Sequence, residues 1–264
     1  MSAATPTAVS KHSYGDEPSQ FGELYLPAGE RRPGTVVVIH GGFWRSRYNL
    51  GLGRPLALDL AARGWAAWNL EYRRVGGGTG GGGGWPQTFD DVAAGIDRLA
   101  DLAGEFQLDL SRVAAVGHSA GGHLAVWAAG RATLPAGVPG AQPRVQVTAA
   151  VAQAGVLCLA EAAGSVVGDG AVLDLLGGTP EEVPQRYAVA DPVQLLPTGA
   201  RVLCVHGHGD DDVPFQQSEH YVRAARQAGD EATLADLAGG HMELIDVSDP
   251  AWQTVLDALP ELLS

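Results

Sequence analysis

The chain is short of three things, and each shortage excludes a class of protein. It has two cysteines in 264 residues. Both, Cys158 and Cys204, sit in apolar stretches, so they read as buried thiols and not as a disulfide framework. Positive charge is scarce: 17 Lys and Arg stand against 30 Asp and Glu, a net charge of −13. Nucleic acid and anionic membranes both demand a basic face, so neither is expected as a partner. Long apolar runs are missing as well, and none approaches the roughly 20 residues that span a bilayer. Met1 to Gln20 is polar and lacks the apolar core of a secretory signal, so the expected compartment is the cytoplasm. The histidines are scattered, with no His-x-x-x-His spacing. Neither a metal site nor a cofactor is expected.

What is present suits one α/β domain over residues 1–264, since a chain of this length with 45% hydrophobic residues can bury one large core. Continuous apolar runs such as Val36-Val37-Val38-Ile39 read as strands covered on both faces. Strands are expected at 36–40, 65–70, 113–116, 147–153, 202–206 and 232–237, with an antiparallel strand near 20–27 after a polar tail, 1–19. Helices are expected near 54–63, 86–102, 122–131, 215–228 and 250–262. This alternation predicts a doubly wound, mostly parallel sheet.

Gly117-His118-Ser119-Ala120-Gly121 is the most informative stretch. By chance a Gly-x-Ser-x-Gly pentapeptide would arise about 0.2 times in so glycine-rich a chain, so its context carries the weight. An apolar strand precedes it and an Ala/Leu/Val/Trp-rich helix follows, the setting of a turn that lifts a serine hydroxyl above a sheet. The strand ending in His40-Gly41-Gly42-Phe43-Trp44 supplies a second loop, whose glycines let backbone N–H groups approach an oxyanion. Gly42 and Phe43 are the candidate donors there, with Ala120 as their partner after the serine. Further on, His206-Gly207-His208-Gly209-Asp210-Asp211-Asp212-Val213-Pro214 follows a buried strand. Its His-Gly-x-x-Asp-x-x-Val-Pro spacing selects Asp210 as the acid, leaving Asp211 and Asp212 as solvated turn or capping residues.

Eight histidines compete for the role of base. His12 in the tail and His220 on a helix read as exposed. His40, His206 and His208 sit at strand ends, where imidazoles satisfy carbonyls, and His118 and His123 flank the elbow as site-lining or hydrogen-bonding groups. Only His241 follows both serine and acid. The order Ser119, Asp210, His241 is that of α/β-hydrolases and not of chymotrypsin or subtilisin. The other tryptophans read as core, but Trp44 follows the oxyanion loop and is expected, with His118, to line the substrate pocket. The run Gly76–Gly84, broken only by Thr79, lacks the nearby lysine of a phosphate loop and reads as a lid or surface loop.

From about Gln20 to Trp252 the chain resembles an α/β-hydrolase of the esterase type. His40-Gly41-Gly42-Phe43-Trp44 resembles the His-Gly-Gly-x-Trp signature of kynurenine formamidases (arylformamidases), whereas hormone-sensitive-lipase-like esterases usually carry a third glycine where Phe43 stands. Glu71-Tyr72-Arg73-Arg74, Gly117 to Gly122, Asp210 to Pro214 and Gly240-His241-Met242-Glu243-Leu244 complete the likeness, while the Gly76–Gly84 run departs from it. The resemblance implies Ser119, Asp210 and His241 as a triad acting on a small acyl or formyl substrate through an acyl-enzyme. It also implies a small cap in the interval 155–198, where short apolar pieces are broken by Gly164, Gly168, Gly170, Gly177, Gly178, Pro180 and Pro184. An acyltransferase, thioesterase or small peptidase could use the same triad, and a silent binding scaffold would leave its positions unfilled.

Overall fold

A computed structural model describes residues 8–164 and 169–264; Gly168 and the first seven residues of the expected tail lie outside the described residues. Eight strands form one sheet: β1 (Ala8–Ser13), β2 (Phe21–Leu26), β3 (Thr35–Ile39), β4 (Ala66–Leu70), β5 (Val113–His118), β6 (Ala149–Gln153), β7 (Arg201–Gly207) and β8 (Ala232–Leu237). Their spatial order is β1-β2-β4-β3-β5-β6-β7-β8, with β1 and β2 antiparallel and the rest parallel. The chain leaves β3 toward β4 on one side and returns to β5 on the other. That reversal opens a crevice at the carboxyl ends of β3 and β5, where ligands bind in open α/β sheets.

Every residue of β3, β4, β5 and β6 is buried, as expected of strands covered on both faces. One face is covered by α1 (Arg54–Ala62) and the last helix, whose Leu56, Leu60, Trp252 and Val255 pack on Val36, Val38 and Val116. The other carries α2 (Gln87–Asp97), α3 (Leu99–Phe106), α4 (Ala120–Ala129) and three short helices between β6 and β7. Those three, α5 (Leu159–Ala163), α6 (Ala171–Leu176) and α7 (Pro184–Ala190), occupy the interval expected to hold a cap. Helices α8 (Gln216–Ala228) and α9 (Pro250–Leu262) complete the fold. Among the described residues no helix is long and apolar enough to cross a membrane.

Two expectations need correction. Residues 8–13 are not tail but β1, paired along its length with β2. An edge strand has one neighbour, and in β1 only Ser10 and His12 are so much as half-buried, so its sequence carries no apolar alternation to announce it; the Lys11 ammonium sits over the Phe21 ring at 3.5 Å instead. The single helix expected over 86–102 is two, parted at Arg98. The Trp68 indole donates to the Gly95 carbonyl at 3.0 Å. That carbonyl would otherwise accept from Leu99 in an unbroken ladder, and a side chain inserted there bends a helix.

Candidate active site

At the end of β5 the chain reverses into α4 through Ser119, whose φ of 56° and ψ of −121° are strained for a residue with a side chain. The reversal is possible because its neighbours are bare. A Cβ on Gly117 would stand 2.0 Å from the Gly121 carbonyl oxygen, and one on Gly121 would stand 2.0 Å from that of Ile39. The Ser119 N–H donates to Gln153 O at 2.8 Å, tying the elbow to β6. Its Oγ is buried and makes no hydrogen bond among the described residues. A hydroxyl in that state is open to a new partner, because a buried polar group left unpaired costs free energy.

The loop after β3 comes up against this serine. A Cβ on Gly41 would meet the Ser119 Cβ at 3.1 Å and the His118 carbonyl oxygen at 2.6 Å. Gly42, Phe43 and Trp44 follow with φ of 110°, 53° and 54°, so three consecutive residues take the left-handed region. The N–H groups of Gly42 and Phe43 make no hydrogen bond among the described residues, and Ala120 opens α4, where N–H groups have no acceptor within the helix. These are the three donors expected for an oxyanion.

A buried polar cluster props this loop, and Glu71 is its centre. One Glu71 oxygen takes His40 Nε2 at 3.0 Å, the Tyr72 N–H at 3.0 Å and Arg74 Nη1; the other takes the Leu50 N–H at 3.0 Å. Tyr72 stacks on His40 at 4.5 Å and donates its hydroxyl to the His40 carbonyl at 2.8 Å. Burial, reinforced by Arg74, pushes the His40 ring down to about 3. The sequence marks Glu71 to Arg74 by resemblance alone. The contact with His40 crosses two strands and could not be read from it.

Asp210 and His241 meet as expected. His241 Nδ1 lies 2.7 Å from Asp210 Oδ2, while Asp210 Oδ1 accepts the N–H groups of Asp212 and Val213 at 2.9 and 2.8 Å. Burial works against the Asp210 carboxylate, but hydrogen bonds from His206 and His241 outweigh it and hold the group well below the usual carboxylate range. His206, read from sequence as a carbonyl-satisfying strand-end imidazole, bonds Val213 O at 3.0 Å and also reaches Asp210 Oδ2 at 3.3 Å. It is therefore a second support of Asp210. Asp211 and Asp212 are exposed.

His118 and Trp44 do not line a pocket. His118 is buried and turned toward the base: its ring lies 4.4 Å from that of His241, and its Nε2 meets the His241 carbonyl at 2.9 Å. Burial and the adjacent His241 push it down to about 3, so the neutral ring donates from Nε2. Trp44 has no exposed surface; its indole donates to His123 Nδ1 at 3.2 Å, and His123 Nε2 bonds the Ala190 carbonyl of α7 at 2.9 Å. The indole thus pins the loop to α4 and, through His123, to α7. Gln153 adds a link unseen in sequence, its side-chain amide donating to the Leu244 carbonyl beyond His241. The structure makes no hydrogen bond from Ser119 Oγ to His241, a contact that in hydrolases often tightens only with substrate in place.

A sheet of this order, a strained serine at the end of β5 and an acid–histidine pair after β7 and β8 define an α/β-hydrolase of the esterase class. The chain belongs to the BD-FAE family, whose pattern matches residues 23–224. It is similar to a probable isoprenylcysteine alpha-carbonyl methylesterase of Oryza sativa subsp. japonica, 26% identical over 90% of this chain and 58% of that protein. It is also similar to the probable carboxylic ester hydrolase LipM of Mycobacterium tuberculosis, 32% identical over 75% of this chain and 48% of that protein. The chain therefore spans about half the length of these curated relatives. Among solved structures it resembles a truncated carbohydrate esterase from gut microbiota, with a TM-score of 0.82, 21% identity and coverage of 99% and 98% of the two chains. An esterase of Thermogutta terrifontis with butyrate bound gives a TM-score of 0.75 at 24% identity, over 97% and 94% of the two chains.

Proposed function

We propose that the protein hydrolyses small carboxylic esters through an acyl-enzyme on Ser119. The observation that carries this is the pairing of an unbonded, buried Ser119 Oγ on a strained turn with a 2.7 Å Asp210–His241 hydrogen bond. In the reaction His241 Nε2 takes the Ser119 proton, Asp210 fixes the tautomer and stabilises the imidazolium, and Ser119 attacks the carbonyl carbon. The oxyanion is held by the N–H groups of Gly42, Phe43 and Ala120. His241 returns the proton to the leaving alcohol, and water releases the acid by the same route. The curated relatives, named as a methylesterase and a carboxylic ester hydrolase, support the ester. The His-Gly-Gly-x-Trp motif at 40–44 supports an N-formyl arylamine as a further substrate of the same site.

The test compares p-nitrophenyl acetate with N-formylkynurenine on wild type and Ser119→Ala. Wild type turns over the ester, and Ser119→Ala loses about 10⁴- to 10⁶-fold in kcat while its circular dichroism is unchanged. A folded Ser119→Ala protein that kept a tenth of the activity would refute the mechanism. Formamide turnover below a thousandth of the ester rate would remove the second substrate.

A further inference from the structure

The run Gly76–Gly84 takes no part in the site above, yet it walls a cavity of about 570 Å³ beside the oxyanion loop. Three arginines line that cavity, Arg47, Arg54 and Arg74, together with Ser46, Asn49 and residues 77–80 of the run. Four consecutive backbone N–H groups, Gly77 to Gly80, make no hydrogen bond among the described residues, whereas those of Gly81, Gly82 and Gly83 turn back to the carbonyls of Gly78, Gly76 and Arg74. The left-handed φ of 78° at Gly78 sits within this stretch. Successive free N–H groups in such a turn form a concavity that suits an anion.

The charges around it point the same way. Arg54 directs Nε and Nη2 to Glu23, and Arg74 directs Nη1 to Glu71 and the Tyr72 carbonyl. Arg74 is 2% exposed, and its Nε has no hydrogen-bond partner among the described residues. Arg47 is exposed, lies 5.0 Å over the Tyr48 ring and makes no ion pair among the described residues. Among the described residues Glu71 is the one carboxylate lining the cavity, and it already meets His40 Nε2 and accepts from Leu50, Tyr72 and Arg74. Donors exceed acceptors here, in a chain whose net charge is −13. The absence of a lysine beside the glycines spoke against a phosphate loop, but Arg74 just ahead of the run is joined in the fold by Arg47 from the loop after β3 and Arg54 from α1.

We propose that this cavity is a binding site for a small oxyanion, a phosphoryl or carboxylate group, held by the N–H groups of residues 77–80 and by Arg47 and Arg74. Isothermal titration of the full chain at low ionic strength, with inorganic phosphate in one arm and acetate in the other, tests this and identifies which group is taken. The expected result is saturable binding of at least one anion, weakened about tenfold or more by Arg47→Gln, the share of one charged hydrogen bond. Arg54→Gln, also at an exposed position, weakens it in the same direction. Arg223→Gln on α8 makes the same change of net charge elsewhere and leaves it unaltered. Binding of neither anion at about 10 mM, an affinity too weak for a built site, overturns the proposal. So does an equal loss in Arg47→Gln and Arg223→Gln, which would make the effect one of overall charge.

Discussion

Trp44→Ala separates two readings of one side chain. From sequence the indole is a pocket wall whose removal would admit longer acyl groups. In the structure it has no exposed surface, stands 5.3 Å edge-on from the His123 ring and gives that ring its Nδ1 hydrogen bond. Removing a buried tryptophan costs about 3–5 kcal/mol in lost burial and cavity. The orphaned His123 Nδ1, held neutral by burial and still bonded at Nε2 to Ala190, adds roughly 1 kcal/mol or more. Against a total stability of about 5–15 kcal/mol this is a large fraction, and at roughly 2–4 °C per kcal/mol it lowers Tm by on the order of 10 °C. Trp44→Phe keeps a ring but loses the donor, for a smaller loss of about 1–3 kcal/mol. The assay is thermal unfolding by circular dichroism beside kcat/KM over p-nitrophenyl esters from acetate to octanoate. Both variants should unfold earlier, with activity reduced alike at every chain length. A Trp44→Ala protein melting within about 2 °C of wild type, with its optimum moved to longer esters, would refute the reasoning and restore the pocket wall.

Asp210→Asn should lower kcat by about 10⁴, because the amide no longer holds the productive His241 tautomer. Asp211→Asn and Asp212→Asn, at exposed positions, should each cost less than about tenfold; steady-state kinetics on one ester would decide, and a larger loss at Asp211 or Asp212 would move the acid. Stability should fall as pH drops from about 6.5 toward 4. His40 and His118 are held down at about 3 and His123 at about 4, all by burial first, so the unfolded chain takes up protons that the folded one refuses. Each contributes up to about 1.4 kcal/mol per pH unit in that window. Asp191 runs the other way: burial pushes it up to about 6, so it favours the folded state more at low pH and loses that contribution as pH rises through 6. The three histidines outweigh it, and urea unfolding at pH 7, 6 and 5 should show the decline. A flat profile would mean that the rings are protonated in the folded protein.

The polypeptide declares its buried parts well and its wet parts poorly. β3 to β7 were legible because a strand covered on both faces must be largely apolar, and β5 with Gly117 and Gly121 was legible because no side chain fits a turn that tight. β1 was hidden because an edge strand needs no apolar face. The bend at Arg98 was hidden because its cause, the Trp68 indole on the Gly95 carbonyl, comes from another strand.

By itself the sequence marked the order of β2 to β8, the candidate triad of Ser119, Asp210 and His241, and the candidate donors at Gly42, Phe43 and Ala120. Those features rest on local spacing: glycines where backbones touch, and an acid and a base after successive strands. The tertiary structure alone decided what supports them. Which of eight histidines braces which loop depends on contacts across strands, so His118 and His206 became props of His241 and Asp210, and His40 with Glu71 became the footing of the loop after β3. The same holds for Trp44, since an indole reads alike in sequence whether it faces a substrate or the core. The glycine run acquired Arg47 and Arg54 only when separate segments were folded around one cavity.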